Sequence, residues 1–178
     1  VAYCWESRKR SDTLPELKPN RSVPNATVIP VLTYPDVREA VAWLTATLGF
    51  TERVQIGENH RSQLSFGDGA VIVADVSGDR VPPHAGAVTH GVMLRVQDAT
   101  ALCDRARAHG ATVVMEPTDF PFGERQAAVR DPFGHQWTFT ETLMDVAPEE
   151  WGGTLLTGSV DPASLPFGVD PTLDDTPR

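Results

Sequence analysis

Apolar residues recur along the middle of the chain with two distinct periods, and the order in which the periods alternate is itself repeated. Val37, Ala40, Val41, Leu44 and Leu48 fall at helical spacing and predict a helix over roughly 37–48. Ala99, Leu102, Cys103 and Ala106 do the same for 99–109. Asp36 and Asp98 precede these runs, where a carboxylate accepts from the first unpaired helix amides, and Gly49 and Gly110 follow them as left-handed caps. Shorter segments rich in β-branched residues follow each helix, at 51–57, 60–66 and 70–76, and again at 112–116, 125–130 and 135–141. Gly67-Asp68-Gly69 joins the last two of the first set as a tight hairpin. Asp131-Pro132-Phe133-Gly134 joins the last two of the second set, with Pro suited to the first turn position and Gly to the left-handed one.

A strand ends before each helix as well. Leu32-Thr33-Tyr34-Pro35-Asp36-Val37 and Leu94-Arg95-Val96-Gln97-Asp98-Ala99 superimpose at an offset of about 62 residues, a separation that marks an internal repeat. The fold expected is therefore α+β, built from two βαβββ modules over 27–77 and 88–141, within one domain at 27–141.

Composition refines the boundaries. Of the 15 prolines, three lie in 1–26 and five in 142–178, and seven acids against one base fill the latter segment. Residues 1–26 are expected to be an N-terminal arm and 142–178 an acidic, proline-rich tail, with Trp151 anchoring the tail to the domain. The tail holds most of the net charge of −9, which leaves the domain mildly acidic and disfavours a nucleic-acid partner. No apolar run approaches the ~18 residues of a membrane span, and two cysteines, Cys4 and Cys103, build neither a disulfide framework nor a metal cage. A cytoplasmic protein without a membrane partner is the expectation, with Cys103 as a small core residue.

Two βαβββ modules, with Gly123-Glu124-Arg125 and the run Val129-Arg130-Asp131-Pro132-Phe133-Gly134-His135-Gln136-Trp137 in the second, resemble the vicinal oxygen chelate superfamily. Its members include glyoxalases, extradiol dioxygenases and bleomycin-resistance proteins, and the Asp-Pro-Phe-Gly-His-x-Trp ending resembles the bleomycin-resistance branch most. The resemblance implies a cup-shaped sheet in each half, a homodimer with pockets between subunits and, in enzyme members, a divalent metal held by four strand residues. Counted from the turns, those four positions fall on Ile29, Val73, Gly91 and Thr138. Such a set cannot ligate a metal, since three of the four side chains have no donor and a neutral hydroxyl is a poor one.

No metal, no cofactor and no catalytic residue is therefore expected. The leading reading is metal-independent sequestration of a small hydrophobic or aromatic molecule, an antibiotic of the bleomycin type, with antibiotic resistance as its consequence. The site residues expected are Val73, Met93, Phe120 and Phe122 for apolar contact and Gln63, Arg95 and Thr138 for orientation. Asp75 is a partner for Arg95 on strand alternation, and Thr118–Gly123 is expected to be a lid loop. The alternative reading is a metal-dependent lyase or isomerase with a displaced site drawn from His60, His90 and Glu141, while His135 is expected to hydrogen-bond across its hairpin.

Overall fold

The computed structural model describes residues 18, 20–84 and 87–155. In chain order the elements are β1 (Val31–Thr33), α1 (Val37–Trp43) running into a π-helical turn (Leu44–Leu48), β2 (Thr51–Ile56), β3 (Arg61–Phe66) and β4 (Gly69–Ala74). The second module repeats them as β5 (Gly91–Arg95), α2 (Ala99–Ala108), β6 (Thr112–Phe120), β7 (Glu124–Arg130) and β8 (Gln136–Thr142), and a 3-10 turn (Pro148–Trp151) follows.

Each module forms a four-stranded sheet, ordered β1-β4-β3-β2 and β5-β8-β7-β6. The first strand of each runs parallel to its neighbour, because a helix intervenes and carries the chain back; the remaining pairs are hairpins and antiparallel. The α+β class and the βαβββ order expected from the repeat are both present. Asp36 accepts from the Glu39 amide at 2.9 Å and Asp98 from the Ala101 amide at 2.8 Å, and Gly49 and Gly110 take positive φ at the two helix ends.

One continuous core joins the modules. Leu32, Val37, Leu44, Leu64, Val71 and Val73 from the first meet Leu94, Leu102, Cys103, Val129, Trp137 and Phe139 from the second. Burying each such large aliphatic or aromatic side chain stabilises the fold by about 1.5–3 kcal/mol. Cys103 lies in this core, and burial pushes its thiol pKa up.

The joint between modules has a polar centre. Asp131 is buried, and its Oδ2 accepts from the Tyr34 hydroxyl at 2.9 Å and the Trp137 indole N–H at 3.1 Å. Its Oδ1 accepts from the amides of Phe133 at 3.0 Å and His135 at 2.9 Å, which shapes the turn. His135 then donates from Nε2 to the Thr33 carbonyl at 2.8 Å. His135 thus bonds across its own hairpin as expected, its carbonyl accepting from the Asp131 amide at 2.9 Å, while its ring reaches the first module, where Tyr34 lies beside it and β1 ends.

Register corrects one site residue. Val31 pairs with Ile72 and Leu32 with Val73, so Ile72 shares the open sheet face with Val31, while Val73 points into the core beside Leu32 and is fully buried. Ile72 therefore takes the open-face place expected for Val73. A second correction concerns Thr118–Phe120, which belong to β6 and are not a loop. Pro117 is tolerated there because β6 is the sheet edge and its pairing with β7 is bulged between Val113 and Thr118. Only the hairpin tip, Pro121–Gly123, is a turn. The arm and tail lie largely outside the described residues.

Candidate functional site

Strand pairing defines what each sheet presents opposite the helices. In the second module one row runs Met93, Thr138, Ala128, Met115; the next runs Arg95, Thr140, Gln126, Thr118. A third brings together Thr142, Glu124 and Phe120. Met93 is 57% exposed, a large apolar side chain standing on an open sheet.

The polar members of these rows bond to one another. Arg95 donates from Nη2 to the Thr142 hydroxyl at 3.2 Å. Glu124 Oε2 accepts from the Thr140 hydroxyl at 2.5 Å and from the Gln126 amide at 2.9 Å. These two hydrogen bonds hold the Glu124 carboxyl below the usual carboxylate range, assisted by the Arg95 charge, so it is ionised at neutral pH. The band thus offers a guanidinium and a carboxylate on one face. Glu124 and Gln126 were missed from the sequence, although both alternate in phase with Ala128 along β7.

Met93 and Arg95 also line a cavity of about 360 Å³ at the seam between the two sheets, where the chain entering β1 meets β5. Val28, Pro30, Phe50, Phe66, Val92 and Leu94 supply much of an apolar lining, to which Asp68 of the β3–β4 turn adds a carboxylate beside the one guanidinium. Both the size and the composition are those of a small-molecule site.

Aromatic groups cluster at the β6–β7 tip. Phe120 and Phe122 stack with ring centroids 5.0 Å apart, and Trp151 meets Phe122 edge-on at 5.6 Å. Trp151 is thus one contact by which the segment after β8 returns to the domain, beside the Leu143 and Met144 amides, which donate to the Gly123 carbonyl at 2.8 and 3.1 Å. Gly123 makes that return possible: it has φ +81°, and a Cβ there would lie 2.3 Å from the Met144 carbonyl oxygen.

The other expected site residues are elsewhere. Gln63 is on the open face of the first sheet and buried, but its side chain is engaged by Arg53 and by the Ser22 carbonyl. Val73 lines no open face. Asp75 does not reach Arg95; its carboxylate lies 3.1 Å from His60 Nδ1 across the β3–β4 pair, while Arg95 belongs to the other sheet.

Nor do the residues of the displaced metal site converge. Glu141 accepts from the Ala99 amide at 3.0 Å and so caps α2, and His60 pairs with Asp75. His90 faces a small cavity of about 130 Å³ beneath the inter-module linker, with His84 and His135. Burial drives the His135 pKa down, which keeps that ring neutral. Among the described residues no three His, Cys, Asp or Glu side chains are grouped closely enough to hold a metal. With register corrected, the four positions that the resemblance marks for a metal carry Ile29, Ile72, Gly91 and Thr138, and this donor set does not fit a metal. No helix of the described residues is long and apolar enough to cross a membrane.

Comparison with known proteins agrees with this architecture. TioX from Micromonospora sp. ML1 is 34% identical, superimposes with a TM-score of 0.53, and is covered over 97% of its chain by 65% of this one. A lactoylglutathione lyase from Agrobacterium tumefaciens is 20% identical with a TM-score of 0.50, covering 66% of this chain and 94% of its own, a likeness of fold alone. The glyoxylase-like protein CFP32 of Mycobacterium bovis is 36% identical over 99 residues, which make up 53% of this chain but only 36% of that protein. The chain thus spans about a third of that relative's length. The family model for the Glyoxalase/Bleomycin resistance protein/Dioxygenase superfamily matches residues 26–139. Since that match runs through both modules and the linker between them, the chain belongs to this superfamily.

Proposed function

We propose that this protein binds a small, largely hydrophobic or aromatic molecule, of the bleomycin type among antibiotics, and sequesters it without chemistry and without metal. The seam cavity carries this reading: an apolar chamber of about 360 Å³ with Met93 and Arg95 at its border. An apolar ring system is buried against Met93, Phe50 and Phe66, while the Arg95 guanidinium takes a carbonyl or anionic group. Glu124, ionised and held by Thr140 and Gln126, takes a cationic or N–H group of the same ligand, and Thr138 orients it beside Met93. Stacking on Phe120 or Phe122 adds roughly 0.5–1.5 kcal/mol beyond buried area.

Metal independence is supported by Ile29, Ile72, Gly91 and Thr138, whose side chains offer one hydroxyl among four positions. A homodimer accompanies the reading, since Val31 and Met93 are 45% and 57% exposed on the open faces and a second copy would cover them. Light scattering at micromolar concentration checks this, with twice the chain mass expected.

A thermal-shift screen tests the function, with bleomycin, an anthracycline and the glutathione–methylglyoxal hemithioacetal as probes. Stabilisation by one of the drugs, unchanged after dialysis against EDTA, is expected. Turnover of the hemithioacetal, or drug binding that EDTA removes, would replace this reading with that of a metal-dependent lyase.

A further inference from the structure

The open face of the first sheet is not bare. Residues leading into β1 cross it, and three hydrogen bonds fix the crossing. Arg53 donates from Nη2 to the Arg21 carbonyl at 2.6 Å, and Gln63 donates from Nε2 to the Ser22 carbonyl at 2.8 Å. Arg53 Nη1 also donates to Gln63 Oε1 at 2.7 Å, which locks the two donors into one unit. Two residues further on, Pro24 is buried and shares a cleft with Arg53 and Ser65. Gln63 pairs with Ile72, which pairs with Val31, so the clamp stands on the face opposite the core.

Two aspects of this contact point beyond ordinary packing. Both bonds to the segment are accepted by main-chain carbonyls of consecutive residues, so recognition reads a peptide backbone and not the side chains of Arg21 or Ser22. The segment also lies before residue 26, where the match to the superfamily begins, so the strap is an addition to the shared domain. Arg53 is itself an exposed residue, so at that donor departure of the segment strands no buried polar group.

We infer that the Arg53–Gln63 clamp is a binding site for extended peptide backbone, and that residues 21–24 are its resident, displaceable occupant. Its ligands are peptides or peptide-like molecules presenting two successive amide carbonyls followed by a proline-sized group. An outside ligand reaches the Arg53–Gln63 clamp only by expelling the strap. The inference concerns the first module and stands independently of whether the seam cavity binds a drug.

The test uses the full chain. Pro24→Asp places a charge in the buried cleft and frees the strap. Trypsin cleavage after Arg21 is expected to accelerate at least tenfold over the parent chain, and Arg53→Ala, a change at an exposed residue, is expected to do the same. A fluorescein-labelled peptide of the sequence Asn-Arg-Ser-Val-Pro-Asn is then added in trans and followed by polarisation. The Pro24→Asp chain is expected to bind it at least tenfold more tightly than the parent, whose own strap competes, and the Pro24→Asp/Arg53→Ala chain is expected to lose that gain. Unchanged cleavage after Arg21 in both single variants would overturn the inference. Accelerated cleavage without peptide binding would also overturn it, reducing the strap to a packing contact. Neither readout involves an antibiotic, so failure here is separable from failure of the drug-binding reading.

Discussion

Asp131 ties the two modules together, and removing its carboxylate measures how much of the fold depends on that joint. Its two oxygens accept four hydrogen bonds, two from the turn amides and two from the Tyr34 hydroxyl and the Trp137 indole, both of whose side chains are fully buried. Asp131→Ala leaves the latter two donors without this acceptor in a space that water does not reach. Each such buried, unsatisfied donor costs about 1–3 kcal/mol, so the pair accounts for roughly 2–6 kcal/mol. Loss of the turn amide bonds adds to this, though those amides are nearer solvent. A destabilisation of about 3–5 kcal/mol is expected, which at ~3 °C per kcal/mol lowers the melting temperature by roughly 10–15 °C. Asp131→Asn keeps one oxygen but turns an N–H2 group toward the indole N–H, and about half the loss is expected. Urea unfolding followed by circular dichroism supplies the free energies. A double-mutant cycle with Tyr34→Phe isolates the bond across the modules, with a coupling of about 1–2 kcal/mol expected. Asp131→Ala within 1 kcal/mol of the parent chain, or strict additivity with Tyr34→Phe, would refute this account of the joint.

Met93→Arg should abolish drug binding in the thermal-shift assay while moving the melting temperature little, because the side chain is already 57% exposed; retained binding would mean that the pocket lies elsewhere. Gly123→Ala should destabilise the chain by about 1–3 kcal/mol, since a positive φ and a Cβ 2.3 Å from the Met144 oxygen must both be accommodated; denaturant unfolding reads this, and a neutral result would exclude the observed return of residues 143–146. The Glu124 carboxyl titrates below its ordinary value in the folded chain, so its contribution is present above the unfolded carboxylate pKa and lost as pH falls through the lower folded one. Glu124→Gln should accordingly flatten the acid limb of the stability profile, and an unchanged limb would show that Thr140 and Gln126 do not stabilise the ionised form. Tyr34 has the opposite sign at the alkaline end: burial, then the neighbouring Asp131, raises its pKa, so stability declines as pH climbs above the ordinary tyrosine value. Tyr34→Phe should remove that decline.

The fold was readable because its signals are local and occur twice. Asp36 and Asp98 as caps, Gly49 and Gly110 as stops, and the two hairpin turns each act over a few residues, and the repeat makes every one a check on the other. Site residues depend on register, and register was legible only where apolar and polar positions alternate. Trp137 and Phe139 alternate with Gln136, Thr138 and Thr140, and both are fully buried. Ala70-Val71-Ile72-Val73-Ala74 is apolar throughout, so periodicity cannot say which residues face outward, and only the parallel pairing with β1 settles that Ile72 and not Val73 does. Gln63 was correctly placed on the open face, but its partner is the backbone of the arm, and a polar segment with no period announces no docking site. Asp131 shows the reverse case. Its turn was evident, whereas its bonds to Tyr34, 97 positions away, follow only from how the modules close.

The central claim is a binding protein of this superfamily that works without a metal, and metal stoichiometry tests it directly. The full chain is purified without chelator, incubated with excess Zn, Ni, Mn and Fe(II) in separate samples, desalted, and assayed by inductively coupled plasma mass spectrometry. Well under one equivalent per chain is expected for every metal, since Ile29, Ile72, Gly91 and Thr138 stand at the positions that the resemblance marks for metal ligands. One tightly held equivalent of any of them would contradict the account.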